Sequence, residues 1–191
     1  HDGDLDLLLC EYHYSSAYME NVDGQLLNRT ASMGLPTRTG GRDIAIVDLN
    51  HDGWQDIIIG YYDSGWKVFQ NNNGEDFDDI TAQVDLPWIN DFHRFCESDV
   101  DLDGDVDLFM TTMHGEDFFF RNNGGVFEDY SQQSNLGDAV GHGGCMWADF
   151  DNDKYPDLLT GGEGKHTIWH NNGNATFTEM TVHGTSVSFN V

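Results

Sequence analysis

The stretch Asp99-Val-Asp-Leu-Asp-Gly-Asp-Val-Asp107 sets five aspartates at alternate positions around one glycine. Five like charges within nine residues repel one another unless a counter-ion sits among them. Positions 1, 3 and 5 of such a loop (Asp99, Asp101, Asp103) turn their side chains to one point, Gly104 permits the sharp turn, and Asp107 at position 9 closes the cage. An all-oxygen, anionic ligand set suits a hard cation. A flexible aspartate loop suits Ca²⁺ better than Mg²⁺, which demands a strict octahedron.

The pattern recurs. Asp48, Asn50, Asp52 and Asp56 hold positions 1, 3, 5 and 9 of a second loop, and Asp149, Asp151, Asp153 and Asp157 those of a third, in which Lys154 replaces the glycine. The position-7 residues Trp54, Asp105 and Tyr155 are expected to add a backbone carbonyl oxygen. A truncated copy, Asp2, Asp4 and Asp6, aligns with the end of the Asp48 loop. An EF-hand shares the opening spacing but requires a carboxylate at position 12, where this chain has Ile59, Met110 or Thr160. Solvated acidic turns are the plainer reading of any one copy. Three complete copies in register weigh against it.

The loops repeat at a period of about 50 residues, so a repeat architecture must be read before any local structure. Each loop lies between two short apolar stretches, such as Asp43-Ile-Ala-Ile-Val47 before Asp48 and Ile57 to Gly60 after it. A third stretch runs into an Asn/Gly turn, as in Phe118-Phe-Phe-Arg-Asn-Asn-Gly124. A fourth, such as Phe127-Glu-Asp-Tyr-Ser131, alternates apolar and acidic residues. Four strands per unit without helical periodicity predict an all-β fold, a β-propeller built from four-stranded blades, about four of them present. The expected repeats are 1–40, 41–91, 92–141 and 142–191, forming a single propeller region that is a portion of a larger propeller or longer chain.

The coupling of DVDLDGDVDL to FFRNNGGVFEDYS, and of DFDNDKYPDL to IWHNNGNATFTEMT, resembles the FG-GAP/VCBS repeat family found in integrin α-subunit propellers and many secreted repeat proteins. The resemblance covers nearly the whole chain. It implies a Ca²⁺-bound extracellular or cell-surface propeller and carries no catalytic residue with it. Lys154 departs from the pattern and places a cation near the third loop, making that site the weakest of the three.

Composition limits the partners. Lys+Arg 8 against Asp+Glu 34 gives a formal charge of −26 over 191 residues, which disfavours nucleic acid. Three Ca²⁺ would still leave −20. No apolar run is long enough to span a membrane. Asn28-Arg-Thr30 and Asn174-Ala-Thr176 are N-glycosylation sequons. A sugar at Asn28, or the acids Asp79, Asp129 and Glu179 at equivalent places, would keep blade edges from pairing.

Cys96 and Cys145 lie in equivalent strands at offsets differing by one residue, which turns them to opposite faces. With Cys10 they are read as buried thiols, one disulfide being the other reading. His93, His142 and His183 precede innermost strands at similar offsets and could meet at the channel mouth. Trp54, Trp66, Trp88, Trp147 and Trp169, with Tyr61 and Tyr62, read first as core and second as sugar-stacking surfaces. The expected function is a non-enzymatic extracellular calcium-binding module for adhesion, protein–protein interaction or assembly. Its expected partners are extracellular proteins or glycans, with self-assembly a further class. A lectin, or less favoured a polysaccharide lyase, is the alternative.

Overall fold

A computed structural model describes residues 3–180 apart from 63, 64, 85, 88, 90, 137–142, 163 and 164. The described residues form fifteen strands and no helix. The first sheet has three strands, β1 (Leu7–Leu9), β2 (Ala17–Val22) and β3 (Gln25–Asn28). Three four-stranded antiparallel meanders follow in chain order. They are β4 (Gly41–Val47), β5 (Asp56–Tyr61), β6 (Gly65–Asn71) and β7 (Phe77–Asp79); β8 (Phe92–Ser98), β9 (Asp107–Thr112), β10 (Phe118–Asn123) and β11 (Val126–Asp129); and β12 (Gly144–Ala148), β13 (Asp157–Gly162), β14 (Lys165–Asn171) and β15 (Phe177–Met180). The acidic loops join the first strand of each meander to the second. The fold is the all-β propeller architecture that the repeat predicts.

The blades stack face to face, and the core is the set of layers between them. Ile57, Ile59 and Tyr61 of β5 face the first sheet and pack with Leu35, Phe69, Phe77, Leu8 and Tyr18. Ile58, one residue out of phase, faces the opposite way, into a layer with Val68, Phe95, Leu108, Met110 and Phe120. Phe109 and Phe119 of the third sheet then meet Leu158, Trp169 and Phe177 of the fourth. Period-2 alternation thus buries both faces of the middle blades, and every residue of β5 and β9 is buried.

Backbone contacts tie successive blades at the outer side. Phe77 N donates to Met33 O at 2.9 Å, and Phe177 N donates to Ser134 O at 2.8 Å. A side chain on Gly34, which has φ +75°, would collide with Phe77 O.

Cys96 and Cys145 form a disulfide, with Cα atoms 6.0 Å apart, and Cys10 is free. The expectation of free thiols there is corrected. The one-residue offset does place the two on opposite faces of their own sheets, but in a stack the facing surfaces of neighbouring blades are opposite faces. The offset is therefore what brings the sulfurs together.

The tryptophans and Tyr61 resolve mostly as core. Tyr61, Trp66 and Trp169 are buried, and Trp147 packs among Phe109, Phe119 and Phe177 with Nε1 donating to Cys96 O. Burial removes their faces from any sugar. Trp88, His142 and His183 lie outside the described residues.

Candidate metal centres

Each complete loop is wound by its own first carboxylate. Asp48 Oδ1 and Oδ2 accept from Asp52 N and Gly53 N, Asp99 from Asp103 N and Gly104 N, and Asp149 from Asp153 N and Lys154 N, at 2.9–3.2 Å. The position-5 aspartate then accepts from position 7: Asp52 from Trp54 N, Asp103 from Asp105 N, Asp153 from Tyr155 N. Such turns need left-handed residues at positions 4 and 6, which are His51 and Gly53, Leu102 and Gly104, Asn152 and Lys154.

The position-9 aspartates are the hubs. Asp56, Asp107 and Asp157 are almost fully buried. Oδ2 of each accepts from the loop, at Leu49 N, Val100 N or Phe150 N, and Oδ1 accepts from the hairpin, at Asn71 N, Asn122 N or Asn171 N. The same asparagines donate Nδ2 to Gln55 O, Val106 O and Pro156 O, and their Oδ1 atoms accept from Gly74 N, Gly125 N and Gly173 N. Sequence reading assigned these asparagines to turn geometry alone; their larger role is to lock loop to hairpin. The truncated copy keeps this half of the design, since Asp6 accepts from Asn21 N and Asn21 Nδ2 donates to Leu5 O. Asp4 is exposed and Asp2 lies outside the described residues.

The donor sets fit a divalent cation. Asp99, Asp101 and Asp107 each bring an oxygen within 4.8 Å of the others, as do Asp149, Asp151 and Asp157. Asp101 Oδ1 is buried with no hydrogen-bond partner. Burial pushes the carboxyls of Asp56 and Asp101 up, and that of Asp107 up to about 7, with neighbouring loop aspartates adding to the rise. In the first loop Asn50 Oδ1 accepts from Asp52 N while its Nδ2 donates to Asp52 Oδ2, so an amide takes the position-3 place.

Cations of the chain also touch the loops. Arg121 pairs with Asp101 and, at 3.2 Å, with Asp103. His170 Nδ1 lies 3.0 Å from Asp151 and 3.3 Å from Asp157. Lys154 donates only its backbone N–H to the third loop and its side chain is exposed, so the cationic group touching that loop is His170 when protonated. His51 reaches from the second blade to Asp105 of the third at 2.5 Å. That bond raises the His51 pKa and lowers that of Asp105.

The sequon asparagines close small turns. Asn28 Oδ1 accepts from Thr30 N and Oγ1, as Asp79 does from Thr81 and Asp129 from Ser131, and Asn174 does the same with Thr176. Both asparagines are exposed.

A family model described as FG-GAP-like repeat matches residues 1–59, 99–160 and 149–191. Integrin alpha-3 of Cricetulus griseus is 29% identical over 151 residues, and that of Mus musculus 28% over 151 residues. Each alignment covers 67% of this chain but 14% of the relative, so the chain spans a small part of their length. Among solved structures, a lectin of Agrocybe aegerita, described as recognising non-reducing terminal N-acetylglucosamine, superposes with a TM-score of 0.54 at 22% identity. That superposition covers 93% of this chain and 48% of the lectin, and it carries the fold.

Proposed function

The chain belongs to the FG-GAP-like repeat family, and on that premise we propose that it is a non-enzymatic, calcium-stabilised propeller module that acts outside the cell in adhesion, protein–protein interaction or assembly. The observation that carries this reading is the repeated oxygen cage, above all the partnerless buried Oδ1 of Asp101 beside Asp99 and Asp107. Asp48, Asn50, Asp52 and Asp56 would hold one Ca²⁺. Asp99, Asp101, Asp103 and Asp107 would hold a second, and Asp149, Asp151, Asp153 and Asp157 a third, with carbonyls of Trp54, Asp105 and Tyr155. Asp2, Asp4 and Asp6 would contribute to a fourth.

Bound calcium would neutralise carboxylates that otherwise repel, converting binding energy into order at the rim. The protein's part is to hold the cage open and shaped. The aspartate–asparagine hubs do this by fastening each loop to its hairpin. Asn28 and Asn174, exposed with side-chain nitrogens facing no acceptor among the described residues, are proposed carriers of N-linked sugar. The Cys96–Cys145 disulfide suits an oxidising, extracellular compartment.

Native mass spectrometry with parallel thermal unfolding tests the reading. Three or four Ca²⁺ per chain, and a large fall in melting temperature on chelation, are expected. No bound calcium and unchanged melting would overturn it. A lectin is the second reading, supported by the architecture shared with the Agrocybe aegerita protein. Binding to a defined sugar on a glycan array that survives loss of Asn28 and Asn174 would favour it over a pure scaffold.

A further inference from the structure

At the rim opposite the acidic loops, where the innermost strands begin, an open cleft of about 340 Å³ is lined by Cys10 and Tyr12 after β1, Gly41 and Arg42 of β4, and His93 and Arg94 of β8. Two of the six lining residues are arginines in a chain with only 8 Lys+Arg, and burial and those arginines hold the pKa of the third, His93, below its ordinary value. Their convergence is not a consequence of composition.

Two of them arrive by the same device. The β4–β5 register shifts between Gly41 and Asp43, and the β8–β9 register shifts between Phe92 and Arg94. Arg42 and His93 are therefore the irregular residues of their strands, and each stands six positions before its loop's first aspartate. A bulge re-aims the side chain that it carries. Here both are re-aimed into one cleft.

Neither side chain is satisfied there. Arg42 Nε and His93 Nδ1 are buried without a hydrogen-bond partner. Arg42 is held by aromatic rings instead, its Cζ 4.5 Å from the Tyr62 centroid and 5.6 Å from that of Tyr12, whose rings meet edge to face at 5.4 Å. That arrangement orients the guanidinium through ring faces, which supply no acceptor to Nε. Two neighbouring acids are engaged elsewhere, since Asp43 Oδ2 accepts from Phe95 N at 2.9 Å and Asp91 Oδ2 lies 2.8 Å from His114 Nδ1, and a third, Glu11, is exposed. Gly41 lets the two blades approach closely at the cleft wall, because a Cβ there would meet Cys10 Sγ and Ser16 Oγ at 2.6 and 2.8 Å.

We propose that this cleft binds a small molecule carrying one oxyanion group, a carboxylate or a sulfate, on a body of monosaccharide size. Arg42 and Arg94 supply the charge-assisted contacts, His93 lines the cleft beside them, and the exposed Tyr12 ring makes a wall for the apolar body. The inference is independent of the metal loops, which occupy the other rim.

Isothermal titration calorimetry of the calcium-loaded chain with D-glucuronate, glucose 6-sulfate and glucose tests it, alongside the His93 imidazole resonances by NMR. At least one of the two anions is expected to bind and shift those resonances, while glucose does neither. The anion that binds identifies the oxyanion as carboxylate or sulfate. Arg94→Gln, at an exposed position, should weaken binding about ten- to a hundredfold with melting unchanged. Arg42→Lys, which keeps charge but loses the fork, should weaken it as well. Absence of binding by both anions at millimolar concentration, equal binding of glucose, or full affinity in both variants would overturn the proposal.

Discussion

Asp107 Oδ1 accepts a hydrogen bond from Asn122 N at 2.8 Å across fifteen residues, while its Oδ2 accepts from Val100 N at 3.1 Å. One buried carboxylate thus fastens loop to hairpin before any metal arrives. Asp101, with Oδ1 partnerless, meets the hairpin through its ion pair with Arg121 and not through a buried backbone donor there. Asp107→Ala should therefore destabilise the chain with or without calcium, by about 2–5 kcal/mol for two orphaned buried donors. Asp101→Asn should lose more stability in calcium than in chelator, where only its pairing with Arg121 is weakened. Denaturant melts of both variants in calcium and in chelator check this, and equal losses for Asp101→Asn in the two conditions would count against its role as a ligand.

The same carboxylate sets the pH dependence. Burial pushes the Asp107 pKa up to about 7 in the metal-free fold, whereas an unfolded aspartate titrates near its ordinary 3.8. Between those values the folded state holds a proton that the unfolded state has released. Metal-free stability should accordingly fall as pH rises from about 4 to 7, by an amount on the order of 4 kcal/mol. Calcium requires the ionised form, so the calcium-dependent gain should grow over that window. Melting temperatures from pH 4.5 to 8, in chelator and in millimolar calcium, should show opposite trends. Parallel curves would refute the coupling.

Lys154 occupies the place that glycine holds as Gly53 and Gly104, at φ +88°. A side chain in that region costs about 1–2 kcal/mol, and Lys154 contributes only a backbone donor to the turn. Lys154→Gly should stabilise the protein by about 0.5–1 kcal/mol after the glycine's own entropy cost, a rise of about 1–4 °C in Tm. Calorimetry of the calcium-loaded variant reads it directly, and a lower Tm would contradict the strain argument.

Much of this architecture was legible because the period, the loop spacing and the apolar alternation agree with one another. Ile57, Ile58 and Ile59 show where that legibility stops: the sequence marks them as strand, but only the stack assigns Ile57 and Ile59 to one neighbour and Ile58 to the other. The disulfide hid for the same reason, since face assignment within one sheet says nothing of which sheet lies opposite. Asn71, Asn122 and Asn171 read as turn formers because Asn-Gly pairs carry that signal, and their bonds to Asp56, Asp107 and Asp157 span fourteen or fifteen residues. The bulges at Arg42 and His93 are single-residue irregularities of register, beyond what alternation can report.

The Cys96–Cys145 bridge links the innermost strands of two adjacent blades across a sequence separation of 49. Closing a loop of that length restricts the unfolded chain by about 4 kcal/mol. It also joins two blades whose interface is otherwise held by packing of Phe109 and Phe119 against Trp147, Leu158 and Phe177 and by hydrogen bonds such as Phe177 N to Ser134 O and Asn171 Nδ2 to Val100 O. Cys10 is different: half-buried and unpaired, its thiol is pushed up to about 11, chiefly by burial, so it is a poor nucleophile at neutral pH and a poor partner for exchange. Thiol titration of the denatured chain should count one group without reductant and three with it. The Cys96→Ser, Cys145→Ser double variant should melt lower by roughly 10 °C, with the larger share of the loss in the third and fourth blades by hydrogen exchange. Three thiols without reductant would mean that the blades are held by packing and hydrogen bonds without a covalent link.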